Sequence, residues 1–196
     1  MKRNFISRRT SVIIAILSTL SFAPPILFGF TTALTTGAIL LSNLAANAQS
    51  ADTYYNKGNA KSRSGDYQGA IDDYSKIIAI DPQDSSAYYK RGVAKEKSGD
   101  YQGAISDYSK AIEIDPQNNR AYNNRGIVKG RLGDYHGAIA DFGKAIAIDP
   151  QDADSYYNRG LAKELVDDLQ GPCEDWKKAA ELGDEVTAKL VEEHCL

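Results

Sequence analysis

The chain has 196 residues, of which 42% are hydrophobic, 25% are charged and 2 are cysteine. That usage excludes a disordered, collagen-like or disulfide-dense chain. The formal net charge is −3, but residues 1–48 hold Lys2, Arg3, Arg8 and Arg9 and no acid, so residues 49–196 carry a net −7. A body that acidic lacks the clustered Lys and Arg that nucleic acid requires, and no nucleic-acid partner is expected.

In chain order, Met1 to Arg9 is a short basic region. The apolar run Val12-Ile-Ile-Ala-Ile-Leu-Ser-Thr-Leu follows, and the segment closes on Ala46-Asn47-Ala48. Small residues at the last and third-last positions are what signal peptidase accepts, so residues 1–48 read as an export signal cleaved after Ala48. The competing reading is an uncleaved anchor over Val12 to Phe30, since a spanning helix needs about 20 apolar residues. Pro24-Pro25 and Gly29 interrupt that run. Ser7-Arg8-Arg9 resembles the start of a twin-arginine signal, with Ser11 where that motif carries a bulky apolar residue. Either reading sends the body to the periplasm or an equivalent envelope or lumenal compartment. Membrane contact is then expected only through an uncleaved N-terminal segment.

After the signal, a 34-residue period governs the chain. Gly65-Asp-Tyr-Gln-Gly-Ala-Ile-Asp-Asp-Tyr74 returns as Gly99-Asp-Tyr-Gln-Gly-Ala-Ile-Ser-Asp-Tyr108 and as Gly133-Asp-Tyr-His-Gly-Ala-Ile-Ala-Asp-Phe142. Asp81-Pro82, Asp115-Pro116 and Asp149-Pro150 keep the same step, as do Tyr54, Tyr88, Tyr122 and Tyr156 and Gly58, Gly92, Gly126 and Gly160. A fixed period of this length is the signature of a repeat architecture.

Each unit reads as two antiparallel helices. Gly65 sits where a helix ends in a left-handed residue, and Asp66 can cap the next helix through its side-chain oxygen. The second helix runs to Ile80 and stops at Asp81-Pro82, because proline lacks the N–H and restricts the residue before it. Tyr54 and Gly58 share one face, opposite Ala70, Tyr74 and Ile77 at i, i+4 and i+7 on the second helix. Gly and Ala at that contact let the backbones approach while the aromatic ring fills the space beside them.

With an aromatic at unit position 4, Gly at 8, Ala at 20, an aromatic at 24, Ala at 27 and Pro at 32, the unit resembles the tetratricopeptide repeat. The resemblance covers 51–84, 85–118 and 119–152, with a degenerate fourth unit over 153–183 and a capping helix over 184–196. It implies an all-α fold, a right-handed α-solenoid of antiparallel helix pairs. The Tyr-Tyr-Asn-Arg-Gly and Gly-Asp-Tyr-Gln-Gly-Ala-Ile wording is similar to exported cyanobacterial-type members of that family. The fourth unit departs from the pattern, with Pro172 in place of the Ala and Asp167-Asp168 in place of the Gly-Asp turn. Its second helix is therefore expected to start near Pro172, where proline is tolerated. Trp176 takes the aromatic place, and Ala179-Ala-Glu-Leu-Gly-Asp184 with Thr187-Ala-Lys-Leu-Val191 resembles the end of a Sel1-type repeat. Asp184 is expected to cap a final helix reaching about Cys195.

A second departure concerns charge. Lys61, Lys95, Lys129 and Lys163 stand where the family carries a large aromatic, and Lys57, Arg91, Arg125 and Arg159 where it often carries Leu. Their stems are expected to cover the seam while the heads reach water. Asp73, Asp107, Asp141 and Asp175 recur opposite these bases across the hairpin, and pairing within each unit is expected, against a merely solvated face.

Folding back at Gly183-Asp184 puts Cys173 and Cys195 at similar distances from the turn on adjacent helices, roughly 15–17 Å at a helical rise. In an exported chain this pair reads as a disulfide stapling the cap; the alternative is two small buried cysteines that never meet. Cys195 and His194 are neighbours about 100° apart on a helix and cannot act as nucleophile and base. Metal-ligand spacing, a phosphate loop and a Gly-x-Ser-x-Gly elbow are missing, so no enzyme activity, no metal and no cofactor is expected.

The resemblance further implies that unit positions 2, 5, 6, 9, 12 and 13 line a concave groove suited to an extended peptide or partner protein. Position 5 holds Tyr55, Tyr89, Asn123 and Tyr157; position 6 holds Asn56, Lys90, Asn124 and Asn158; position 9 includes Asn59, Val93 and Ile127, and Arg120 stands at position 2. Rings give rigid contact area and carboxamides pair with backbone amides. The family's clamp for a C-terminal carboxylate matches only at Asn59, with Arg120 as a cationic stand-in, so that clamp is not present as such. Two roles are expected for the surface: a protein–protein adaptor, or a structural repeat protein that self-associates into homo-oligomers.

Overall fold

In the computed structural model the described residues are 49–166 and 171–195. The signal reading with its cleavage after Ala48, and the Asp167-Asp168 turn, lie outside them. The described residues form nine α-helices and no strand: α1 over 49–64, α2 Tyr67–Ile80, α3 Ser85–Ser98, α4 Tyr101–Ile114, α5 Asn119–Arg131, α6 Tyr135–Ile148, α7 Ala153–Glu164, α8 Gly171–Glu181 and α9 Glu185–His194.

The period is visible in the backbone. Gly65, Gly99 and Gly133 follow successive first helices, and Gly183 follows α8, the second helix of the fourth unit, all with φ between +83° and +99°, the left-handed region that glycine enters without a Cβ penalty. The Asp after each turn then caps the next helix. Asp66, Asp100 and Asp134 accept from the amides of Gly69, Gly103 and Gly137 at 2.9 Å. Second helices end on Ile80, Ile114 and Ile148, each followed by an extended Asp and a proline. Asp84 and Asn118 cap the next first helix, accepting from Ala87 and Ala121 at 3.0 and 3.1 Å. Pro172 occupies the second place of α8, where a missing N–H costs no helical bond.

Each helix packs chiefly on its neighbours in sequence, and the first helices also touch from unit to unit, α3 on α5 and α5 on α7. The core is a row of small residues with one ring per unit. Ala70, Tyr74, Ile77, Ala87 and Ala94 form one cluster, Ala104, Tyr108 and Val128 a second, and Ala138, Phe142 and Ala162 another. Close helix approach depends on the position-8 glycine. A Cβ on Gly92 would stand 2.8 Å from the Tyr108 ring, so the ring occupies the space that a side chain would need.

The basic residues behave differently from expectation. The carboxylates of Asp73, Asp107, Asp141 and Asp175 are buried, and the heads of Arg91, Arg125 and Arg159 turn inward onto them instead of reaching water. Pairing across the hairpin is present; the solvated environment is not. The carboxylates lie buried in every unit, and the adjoining unit encloses the guanidinium heads: Arg91 and Arg125 each donate Nη1–H to a serine hydroxyl on its second helix, Ser75 and Ser109, at 3.0 and 2.9 Å.

Candidate functional site

The first helices carry the sequence-predicted groove residues on one face, and many of these side chains are joined across unit boundaries. Tyr55 donates its hydroxyl to Asp84 at 2.8 Å, which ties α1 to the cap of α3. Asn59 Oδ1 accepts from Tyr74 and from Lys90, both at 3.0 Å. Asn124 donates to the Tyr89 hydroxyl at 3.2 Å, and Asn158 to Asn123 at 3.3 Å. The rings of Tyr55 and Tyr89 also lie against Tyr74 and Tyr108, with centroids 6.4 and 5.9 Å apart. These tyrosines therefore serve the stacking of units as well as lining the face. Burial raises the Tyr89 phenol's pKa, with Arg120 and Asn124 acting in the opposite direction.

Two clefts open along this body. The first, about 410 Å³, lies between units one and two and is lined by Asn59, Ser62, Arg63, Tyr74, Tyr89, Lys90 and Val93. Four of these were named from the sequence. Ser62 and Arg63 occupy positions 12 and 13, which belong to the groove by resemblance, so their place was readable. Tyr74 belongs to the core by its repeat position, and its ring is buried, but its hydroxyl edge reaches the cleft. The second cleft, about 480 Å³, is bordered by Ala153, Asp154, Tyr157, Leu182, Asp184 and Val186. Leu182 and Val186 come from the turn and final helix, whose approach to α7 no repeat position indicates. Asn56 and Arg120 are exposed, and Ile127 packs partly on the Phe142 cluster. The predicted residues are thus spread along a face rather than gathered at one point.

The first cleft is cationic. Arg63 anchors its Nε–H on the Asn59 carbonyl at 3.2 Å, leaving the rest of the guanidinium toward the cleft residues. Burial first, and the Arg63 charge second, push the Lys90 ammonium below the ordinary lysine pKa. Among the described residues no group of three His, Cys, Asp or Glu side chains has the proximity to hold a metal ion. At the other end, Cys173 and Cys195 come together with Cα atoms 5.5 Å apart.

Repeated helix pairs, first helices lined up on one face and clefts between units define a helical-repeat protein of the solenoid class. Tetratricopeptide repeat models match residues 51–84, 97–133 and 131–165, together just over half of the chain, and the chain belongs to the tetratricopeptide repeat family. The solved structure of MamA from Desulfovibrio magneticus is similar over 68% of this chain and 76% of its own, at 27% identity and a TM-score of 0.65. The second repeat domain of human RPAP3, solved with the HSP70 peptide SGPTIEEVD, is 26% identical, with 60% of this chain and 98% of that one covered at a TM-score of 0.58. YrrB, described as a repeat protein with an unusual peptide-binding site, shares the fold at 22% identity and a TM-score of 0.65, covering 84% of this chain and 89% of its own. No curated protein sequence matches the chain.

Proposed function

We propose that this protein is an exported interaction module that holds an extended segment of a partner protein along the face formed by its first helices. The observation that carries this reading is the set of half-buried rings and carboxamides on α1, α3, α5 and α7, with Lys90 among them, and the cleft that Asn59, Tyr89, Lys90 and Val93 line. The RPAP3 domain, of the same fold, was solved holding a peptide, which supports a peptide-sized occupant here. Export rests on the basic, apolar and Ala46-Asn47-Ala48 pattern of the N-terminal segment. In an oxidising compartment the juxtaposed Cys173 and Cys195 form a disulfide that holds α9 on α8.

The test is binding of the purified chain to an array of extended peptides, beside an Asn123→Trp/Asn158→Trp variant. Both positions are half-buried on the groove face and outside the core clusters, so the rings fill the groove while the fold is retained, as checked by thermal melting. Peptides that bind the native chain and are lost by the variant support the reading. Binding that is indifferent to the variant would place the partner surface elsewhere. An absence of binders combined with a mass that grows with concentration would favour self-association in its place.

A further inference from the structure

Among the described residues, every half-buried Lys or Arg is joined to a carboxylate, with Lys90 excepted. Lys90 has only the neutral Asn59 Oδ1 at 3.0 Å, an acceptor it shares with Tyr74. Taking an ammonium partly out of water without an anion is unfavourable, which is why buried charges are ordinarily paired. A second cation, Arg63, lines the same cleft with no carboxylate partner among the described residues. In a body of net charge −7 the balance is locally reversed at this cleft.

We infer that the cleft between the first two units receives an acidic side chain of the partner, with Lys90 supplying the charge that its carboxylate pairs with and Arg63 a second donor at the rim. The inference rests on the interaction reading above and specifies the chemistry of the occupant. A carboxylate entering here finds the ammonium already held in place by Asn59, so little side-chain freedom is left to lose on binding. The acidity of the body as a whole does not oppose this, because charges farther than about 8 Å are screened at physiological salt, whereas the cleft cations act at contact.

The experiment is fluorescence anisotropy on the full chain with three labelled probes. One is an amidated peptide of alternating Glu and Ala; the second has Gln in place of Glu; the third is an Ala peptide with a free C-terminal carboxylate. The expected result is binding of the Glu peptide that weakens with added salt, no binding of the Gln peptide, a loss of about tenfold for Lys90→Gln and retention for Lys90→Arg. Lys97→Gln, an exposed lysine on the same helix, should bind as the native chain does. Gln can still donate to Asn59, and Arg keeps the charge, so the pair separates loss of charge from loss of fold. Equal binding of the Glu and Gln peptides, or of the Glu peptide to Lys90→Gln, would overturn the inference, as would binding of the free-carboxylate peptide alone. So would the failure of all three probes. Should the peptide array yield groove binders indifferent to Lys90, the inference falls and the interaction reading stands; if Asn123→Trp/Asn158→Trp spares all binding, that reading falls first.

Discussion

Asp107 is gripped from two sides by Arg91. The guanidinium donates Nε–H to Oδ2 and Nη2–H to Oδ1, both at 2.8 Å, while Lys95 reaches Oδ2 at 2.8 Å and the Tyr88 ring lies 5.5 Å beneath the guanidinium carbon. The same fork recurs as Arg125 on Asp141 and Arg159 on Asp175. Removing one member of a buried pair leaves an uncompensated charge, so Asp107→Ala should lower unfolding stability by about 3–5 kcal/mol in urea titration. Replacing Arg91 and Lys95 by Met and Asp107 by Leu together should recover most of that loss, because the desolvation of all three charges is removed at once. A single Asp107→Ala melt unchanged from the native one would show that the cluster contributes nothing.

Two glycines of similar helical setting should respond with opposite sign. Gly92→Ala places a Cβ 2.8 and 2.9 Å from ring atoms of Tyr108, which is fully buried and tied through its hydroxyl to Glu96. The overpacking costs about 1–3 kcal/mol and outweighs the helix-propensity gain of about 1 kcal/mol. Gly143→Ser goes the other way. It restores the position at which Ser75 and Ser109 accept from Arg91 and Arg125, and its Cβ would stand 3.8 Å from Arg159 Nη1. A gain of about 1 kcal/mol is expected from propensity and the added bond, read as a higher Tm.

Stability should fall in acid. Burial works to raise the Asp73 pKa, but Lys61 and Lys76 together hold it below the usual carboxylate range. The Thr187 hydroxyl, with the backbone amides of Thr187 and Val186, does the same for Asp184, against a smaller burial effect. A carboxyl with a depressed folded-state pKa contributes its stability above the unfolded-state value and loses it as pH falls through the folded one. The loss should therefore begin near pH 4 and deepen below it, and a chemical-denaturation series across that range checks it. A midpoint independent of pH from 5 down to 2 would remove both carboxylates from the account.

Reduction should loosen the cap. Among its described residues α9 buries only Thr187 fully, with Ala188, Leu190 and Val191 half-buried, so its apolar hold is weaker than that of the inner helices. Closing a loop of 22 residues is worth about 3 kcal/mol in the chain-entropy picture. With reductant, amide exchange in 185–194 should rise well before that in α3 to α6, and mass spectrometry after alkylation should find Cys173 and Cys195 modified only then.

The period, the two-helix unit and its punctuation follow from the sequence by itself. Gly65 and Asp66 act through local backbone conformation and a side-chain cap three residues on, and Pro82 through a missing N–H, so neighbours in the chain are enough to decide them. The partners of Asp107 were also legible, because the hairpin register sets which side chains face one another. Its burial was not. The carboxylate is buried in every unit, Asp73 of the first included, and what α2 of the preceding unit adds is cover on the cation, with Ser75 accepting from Arg91. The first cleft shows the same division. Repeat positions gave Asn59, Tyr89 and Lys90 as groove candidates, and they line one cleft, while only the stacking of units decided that Tyr89 is joined to Asn124 and that Lys90 has no carboxylate within reach. Pairing between side chains 31 or 35 residues apart is a property of how one unit seats on the next, and the packing of whole helices sets it.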